Sequence, residues 1–525
     1  MKRLLVTGAL VALISAALPA FAQTLRWASQ GDPQTMDPHS QNESMTNMMN
    51  GQVYERLTSR DRKLAVVPSL ATSWEQTGPL TWRFKLRPGV KFHDGTPFTA
   101  DDVVFSVKRA AEPTSQIAVY ANALGSVKAI DPLTVEFTLA QVNPIFLQHL
   151  DTIFIMSRAW CEAHKVTKPL DFKNKEESYA GFNAMGTGPF VLVSRAPGIK
   201  TVYKRNPNWW GKFDGNVQEI VYTPISNDAT RLAALISGEI DFVLDPAPRD
   251  VPRLRNTAGV KVIDGPENRI VFIGMDQARD KLLYGNVAGD KNPFKDVRVR
   301  KALYHTVDIE TMKTKLMNGQ SFPTGGVTPS PLGSFNDPQI ESRLPFDLAK
   351  ARALMAEAGY PEGFEITLDC PNNRYINDEE ICVALATMWS QIKVKVKVNA
   401  MPRALYFAKL DKLDTSMYML GWGGAITDAE TALTPVMRNR GDKGVGSYNY
   451  GNSKNDKFDA LAAQSSVEAD PKKREELVKA ALREYTSQAH VLPLHRQVIP
   501  WAARANVDAV HRADNWLEVP WVTIK

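Results

Sequence analysis

Trp82-Arg83-Phe84-Lys85-Leu86-Arg87-Pro88-Gly89-Val90-Lys91-Phe92-His93-Asp94-Gly95-Thr96-Pro97-Phe98-Thr99-Ala100-Asp101-Asp102-Val103 is the stretch on which the fold turns. From Thr81 to Arg87 large apolar and charged residues alternate, which predicts a half-buried strand. Pro88-Gly89 turns the chain, Val90-Lys91-Phe92 alternates again, and Asp94-Gly95 is a second turn. Thr99 with Asp102 three residues on is a helix-start pattern, and Val103, Val104, Phe105 and Val107 continue it. Strand, turn, strand, turn and helix make a compact α+β unit.

The same alternation of elements continues outward. Asn227-Asp228 predicts a helix start carrying Leu232, Leu235 and Ile236, closed by Gly238 and followed by a strand over 239–243. Asp296 predicts another start, with Val299, Ala302 and Leu303 on its apolar face. From Asp347 to Gly359 the residues Leu348, Ala351, Leu354, Met355 and Ala358 keep helical spacing, and Pro361 prevents continuation. Helices and strands intermix throughout, so the chain is α/β or α+β.

Lys2 and Arg3 precede an uncharged stretch from Leu4 to Phe21, and Ala20-Phe21-Ala22 is a small-x-small site. That order predicts a secretory leader over residues 1–22, cleaved after Ala22. The competing reading, a membrane anchor, is opposed by Thr7, Gly8, Ser15 and Pro19 and by polar Gln23-Thr24 after the site. An exported chain with no lipid-anchoring cysteine after the site fits a Gram-negative periplasm. The mature chain beyond the leader, about 500 residues, is too long for one core, so at least two lobes are expected. The formal charge of +6, lowered by two with the leader, is mild and spread out and argues against nucleic acid. Of three cysteines, Cys370 and Cys382 are near enough in sequence to close one loop, which an oxidising compartment permits. Such a bridge contributes about 3 kcal/mol when unstrained. No G-x-S-x-G, H-E-x-x-H or P-loop is present, and the eight histidines are scattered, so neither catalysis nor a metal or cofactor is indicated.

Leu70-Ala71-Thr72-Ser73-Trp74-Glu75 and the stretch from Trp82 to Val103 resemble the signature segment of extracellular solute-binding proteins of family 5, the dipeptide/oligopeptide type that serves ABC importers. Further similar motifs occur in order along the chain. They are Gly186-Thr187-Gly188-Pro189-Phe190, Asn206-Pro207-Asn208-Trp209-Trp210, Ser237-Gly238-Glu239-Ile240-Asp241, the run from Asp296 to Leu303, Ala358-Gly359-Tyr360-Pro361 and Gly421-Trp422. The resemblance implies an α/β fold of class II-like periplasmic-binding-protein type, two lobes around a cleft, with an extra α+β subdomain in the first. The boundaries expected on this basis are 23–285 for lobe I, about 70–186 for its subdomain, 286–491 for lobe II, and 492–525 for a return to lobe I. It also implies a monomer that delivers a small solute or short peptide to an inner-membrane ABC permease with its ATPase subunits. His93, inside the signature, takes a structural turn role.

Candidate solute contacts come from the same resemblance. Arg374 and Tyr375 lie in a polar stretch where peptide binders engage a carboxylate, which a guanidinium fork suits; the competing reading pairs Arg374 with Asp378 or Glu379. In Gly421-Trp422-Gly423-Gly424-Ala425-Ile426-Thr427-Asp428, Trp422 is placed as an aromatic wall and Gly423 beside it. Close peptide-binding relatives carry an acid, which grips the peptide ammonium, where this chain has Ala425. Asp428 or Glu430 is the expected substitute, with helix capping the alternative for Asp428. Asn42, in Ser40-Gln41-Asn42-Glu43-Ser44, is expected in the first lobe's ligand loop, and Tyr448 and Tyr450 at the rim. The departure at Ala425 widens the expected solutes from ordinary peptides to glutathione-like compounds, opines and other conjugates. Oligosaccharides or metal chelates are rivals within the class, and an exported hydrolase is the rival outside it.

Overall fold

The computed structural model describes residues 23–328, 337–424 and 426–525. The expected leader lies outside them. Among the described residues no helix is long and apolar enough to cross a membrane.

Two large mixed sheets form the two lobes. In the first, strand Thr24–Ser29 runs parallel to Glu219–Pro224 and Phe242–Val243, and Trp501–Arg504 lies between Phe242–Val243 and Val260–Ile263. In the second, Pro266–Met275 pairs antiparallel with both Met417–Gly423 and Val491–Val498, while Phe364–Pro371 pairs parallel with Val394–Met401 and Met417–Gly423. The chain therefore passes to the second lobe between Ile263 and Pro266 and returns between Val498 and Trp501.

These crossings correct the expected boundaries. Position 285 falls within the second lobe, where Gly285–Asn286 pairs with Phe364–Pro371, and position 492 falls inside the strand Val491–Val498. The crossing is made by Asp264-Gly265 alone, so no compositional linker marks it.

The signature stretch builds the extra subdomain. Thr81–Leu86 lies between Ala71–Gly78 and Thr134–Thr138 in a four-stranded antiparallel sheet. Its alternation is used as predicted: Phe84 and Leu86 are buried, Lys85 is exposed, and Arg83 pairs across the sheet with Glu136 at 2.7 Å. Phe84, Phe137 and Phe146 pack edge-on and tilted at 5.5–6.0 Å between ring centres. Val90-Lys91-Phe92 makes only one bridge, between Lys91 and Pro97, because the Asp94-Gly95 turn folds it back on itself. Its alternation still holds, with Val90 and Phe92 buried. The subdomain core runs from Leu57 to Ile155 and includes Ile426 of the second lobe. Trp160, Cys161, Val166 and Ala180 pack into the main core instead, so the subdomain begins and ends earlier than 70–186.

The helix starts are where side-chain chemistry puts them. Thr99 and Asp102 form a reciprocal capping box on Ala100–Ala110. Asn227, Asp296 and Asp347 each accept a first-turn N–H, and Gly238 ends its helix at φ 82°. The strand expected over 239–243 is limited to Phe242–Val243.

Candidate ligand cleft

Glu43 caps the helix Ser44–Asn50, its carboxylate accepting the N–H of Thr46 at 3.0 Å. This cap fixes the preceding loop, so that Gln41, Asn42 and Ser44 face a cleft between the lobes. The cleft encloses about 980 Å³, counting its open mouth. Asn42 accepts from the Asn47 side chain at 3.0 Å, and its own N–H donates to Gln116.

From the second lobe, the polar stretch before helix Asp378–Ser390 brings Arg374 and Tyr375 to the same cleft. Cys370 and Cys382 are disulfide-bonded, tying the end of the strand Phe364–Pro371 to that helix. The Asp378 carboxylate accepts the backbone N–H groups of Arg374 and Tyr375 at 2.8 and 3.0 Å, and burial pushes its pKa up to about 7. The Arg374 side chain pairs with neither Asp378 nor Glu379. Its guanidinium lies over the Tyr375 ring at 4.7 Å, with Nε 2.9 Å from Glu43 Oε1. The Tyr375 ring is buried.

The strand Met417–Gly423 supplies the wall. Trp422 lines the cleft, yet it is only 8% exposed and belongs to the second-lobe core. Its Nε1 donates to the Thr431 carbonyl at 2.6 Å, and its ring packs on Tyr448 at 4.7 Å. It is therefore both wall and core. Gly423 also lines the cleft, and a Cβ there would overlap the Asn268 carbonyl of the neighbouring strand. Tyr448 donates across the lobes to the Gln116 carbonyl at 2.7 Å.

Asp428 is a correction. It is not a cleft residue: both its oxygens take the Arg474 guanidinium at 2.7 Å, and it also accepts the Glu430 N–H. Both oxygens are thus engaged within the second lobe, and Asp428 is not among the residues lining the cleft. Glu430 is buried, accepts from Thr434, and is pushed up to about 7 by burial. It lines a separate interlobe space with His149 rather than this cleft. Ala425 lies outside the described residues. His93 holds a turn, its N–H donating to the Gly186 carbonyl and its Nε2 meeting that of Gly188.

Several cleft residues escaped the sequence reading. Arg269 heads the apolar strand run Ile270–Ile273; a charge opening such a run was the available signal. Its guanidinium meets Glu267 at 2.8 Å and Ser44 of the first lobe at 2.7 Å. Arg56 sits 5.0 Å from both the Phe154 and Trp516 rings and donates to the Asp151 carbonyl. Residues 56 and 516 are brought together only by the return of the chain to the first lobe.

The description "Bacterial extracellular solute-binding proteins, family 5 Middle" matches residues 65–444. The chain belongs to this family. Among curated relatives, it is 28% identical to heme-binding protein A of Haemophilus influenzae over 86% of this chain and 83% of that one. It is 27% identical to the glutathione-binding protein GsiB of Escherichia coli, over 85% and 84%. Among solved structures, the periplasmic binding protein DppA of Helicobacter pylori, in complex with the peptide STSA, superposes with a TM-score of 0.85 at 23% identity. That superposition covers 95% of this chain and 98% of the other, so the two-lobed fold is shared from end to end.

Proposed function

We propose that this chain captures a peptide or peptide-like solute between its lobes and hands it to an inner-membrane ABC permease and its ATPase subunits. It does so as a periplasmic monomer whose leader is removed after Ala22. The observation carrying this reading is the cleft itself: Asn42 reaches it from the first lobe, and Arg374, Tyr375, Trp422 and Gly423 from the second. A solute touching both sets favours the closed state by the difference in its affinity for the closed and open forms. Closure also excludes water and so strengthens every polar contact inside. The permease reads the closed shape, and no bond need be made or broken. The glutathione-binding relative and the peptide-bound structural neighbour support a peptide or peptide-like solute.

Native mass spectrometry of protein released gently from the periplasm, paired with uptake in a strain lacking it, tests this reading. Adducts of peptide or conjugate mass, lost from uptake in the deleted strain, are the expected result. Normal uptake of every bound solute overturns it.

A further inference from the structure

A second space opens between the lobes, enclosing about 960 Å³ with its mouth. The first lobe's subdomain gives it an apolar side of Val119, Val142, Pro144 and Ile145, and the second lobe gives Glu430, Arg438, Lys443 and Arg474. It shares no lining residue with the solute cleft. Tyr120 and Thr431 line the cleft, while their chain neighbours Val119 and Glu430 line this space. Hydrogen bonds join the lobes nearby, from Asn122 Nδ2 to the Lys443 carbonyl at 3.5 Å and from the Thr427 N–H to Gln148 at 3.2 Å.

Most charges here answer one another. Arg474 gives its fork to both oxygens of Asp428, and Arg438 meets Asp459 at 3.1 Å. His149 accepts the Asn143 amide on Nδ1 at 3.0 Å, and burial lowers its pKa to about 4, so the ring is neutral.

Two opposite charges are left over. Glu430 is the one acid among the described lining residues. Its Oε1 accepts from Thr434, whereas its Oε2 is buried and has no hydrogen-bond partner. Among the described residues Lys443 Nζ makes no ion pair, neither with Glu430 nor with adjacent Asp442. A left-handed backbone at Lys443, φ 56°, sets its place on the turn facing the subdomain. A buried carboxylate without a counter-ion is costly, so an ammonium arriving at Glu430 is favoured. Lys443, with the unbonded Nε of Arg438, leaves donors for an acid at the other end of the same molecule.

We propose that this second interlobe space binds a small zwitterion of amino-acid type, its ammonium at Glu430 and its carboxylate at Lys443, separately from the solute in the main cleft. Because its lining comes from both lobes, the occupant holds them together and favours closure over the solute.

Thermal unfolding at about pH 8, where the Glu430 carboxyl is charged, tests it at fixed ionic strength. The probes are millimolar glycine, γ-aminobutyrate and δ-aminovalerate, whose charges lie at increasing separation, with butylamine and butyrate as half-molecules. At least one zwitterion should raise the unfolding midpoint, and neither half-molecule should match it. Glu430→Gln keeps an acceptor for Thr434 but loses the charge, and Lys443→Met changes an exposed side chain. Each should weaken that zwitterion about tenfold, the loss expected for a charged hydrogen bond. Arg374→Gln, in the solute cleft, should leave the shift intact. The proposal is overturned if no zwitterion gives a shift, which would make this a space for water alone, or if a half-molecule does as well. It falls too if the shift survives in full in Glu430→Gln and Lys443→Met, or is lost in Arg374→Gln, since the probe then sits in the main cleft. Solute capture in that cleft is read separately, from the adducts retained in native mass spectrometry, and stands or falls by itself.

Discussion

The carboxylate of Glu43, on the first lobe, lies 2.9 Å from Nε of Arg374 on the second. Its other oxygen is 3.1 Å from Nη1 of Arg403, also on the second lobe. Neither nitrogen is aligned for a hydrogen bond, so the contact is one of charge. All three side chains are at most a tenth exposed. Glu43→Gln leaves two buried guanidiniums without their shared counter-ion, a loss on the order of 3 kcal/mol for a broken buried pair. The variant should open, with a larger radius of gyration in solution scattering and weaker solute binding.

The same pair sets a pH dependence. Arg403 and Arg374 hold the Glu43 carboxyl down at about 2, against the desolvation that acts to raise it. A depressed carboxylate contributes stability in full above its unfolded value, about 4.3, and loses it as pH falls toward the folded one. The stability difference between the wild type and Glu43→Gln should stay constant from neutral pH down to about 5, then shrink between about 4.3 and about 2. Denaturant titrations at stepped pH measure it.

Trp422 serves the cleft and the core together, and its variants should separate the two roles. Trp422→Phe keeps a ring against Tyr448 but loses the donation to Thr431, costing about 1 kcal/mol while solute binding survives. Trp422→Ala empties a buried site and should cost about 3–5 kcal/mol as well as binding. Urea unfolding beside calorimetric titration gives both numbers.

The disulfide joins cysteines twelve positions apart and closes the segment that carries Arg374 and Tyr375. Cys370→Ser/Cys382→Ser should lower stability by about 3 kcal/mol and weaken solute binding, because the stretch presenting the guanidinium is released at one end. Unfolding and binding assays on the oxidised protein and this variant test it.

Asp428→Asn should destabilise the second lobe by removing the carboxylate charge that faces the Arg474 guanidinium, without altering which solutes bind. A changed solute preference in this variant would return Asp428 to the cleft.

Local chemistry was the legible part of the sequence. Thr99 with Asp102, Asn227, Asp296 and Asp347 start helices because each satisfies N–H groups within a few residues of itself. Arg374, Tyr375 and Trp422 are legible through resemblance, and they do meet at one cleft. Arg56 and Arg269 are not, because their meaning lies in distant partners: Trp516 for one, Ser44 for the other. Asp428 misleads for the same reason, since Arg474 comes from a helix that begins at Pro471. The lobe crossing is hidden in the sequence because two residues, Asp264 and Gly265, suffice to make it.

Trp501–Arg504 fills the place between Phe242–Val243 and Val260–Ile263, although some 240 residues of second lobe are synthesised in between. In order of synthesis the first-lobe sheet therefore keeps a vacancy until after everything the second lobe needs has emerged. The partner that arrives last is a strand of four residues, and until residue 504 is delivered the two edges beside the vacancy stay unpaired. The order of manufacture is thus written into the topology, with the first lobe begun first and finished last.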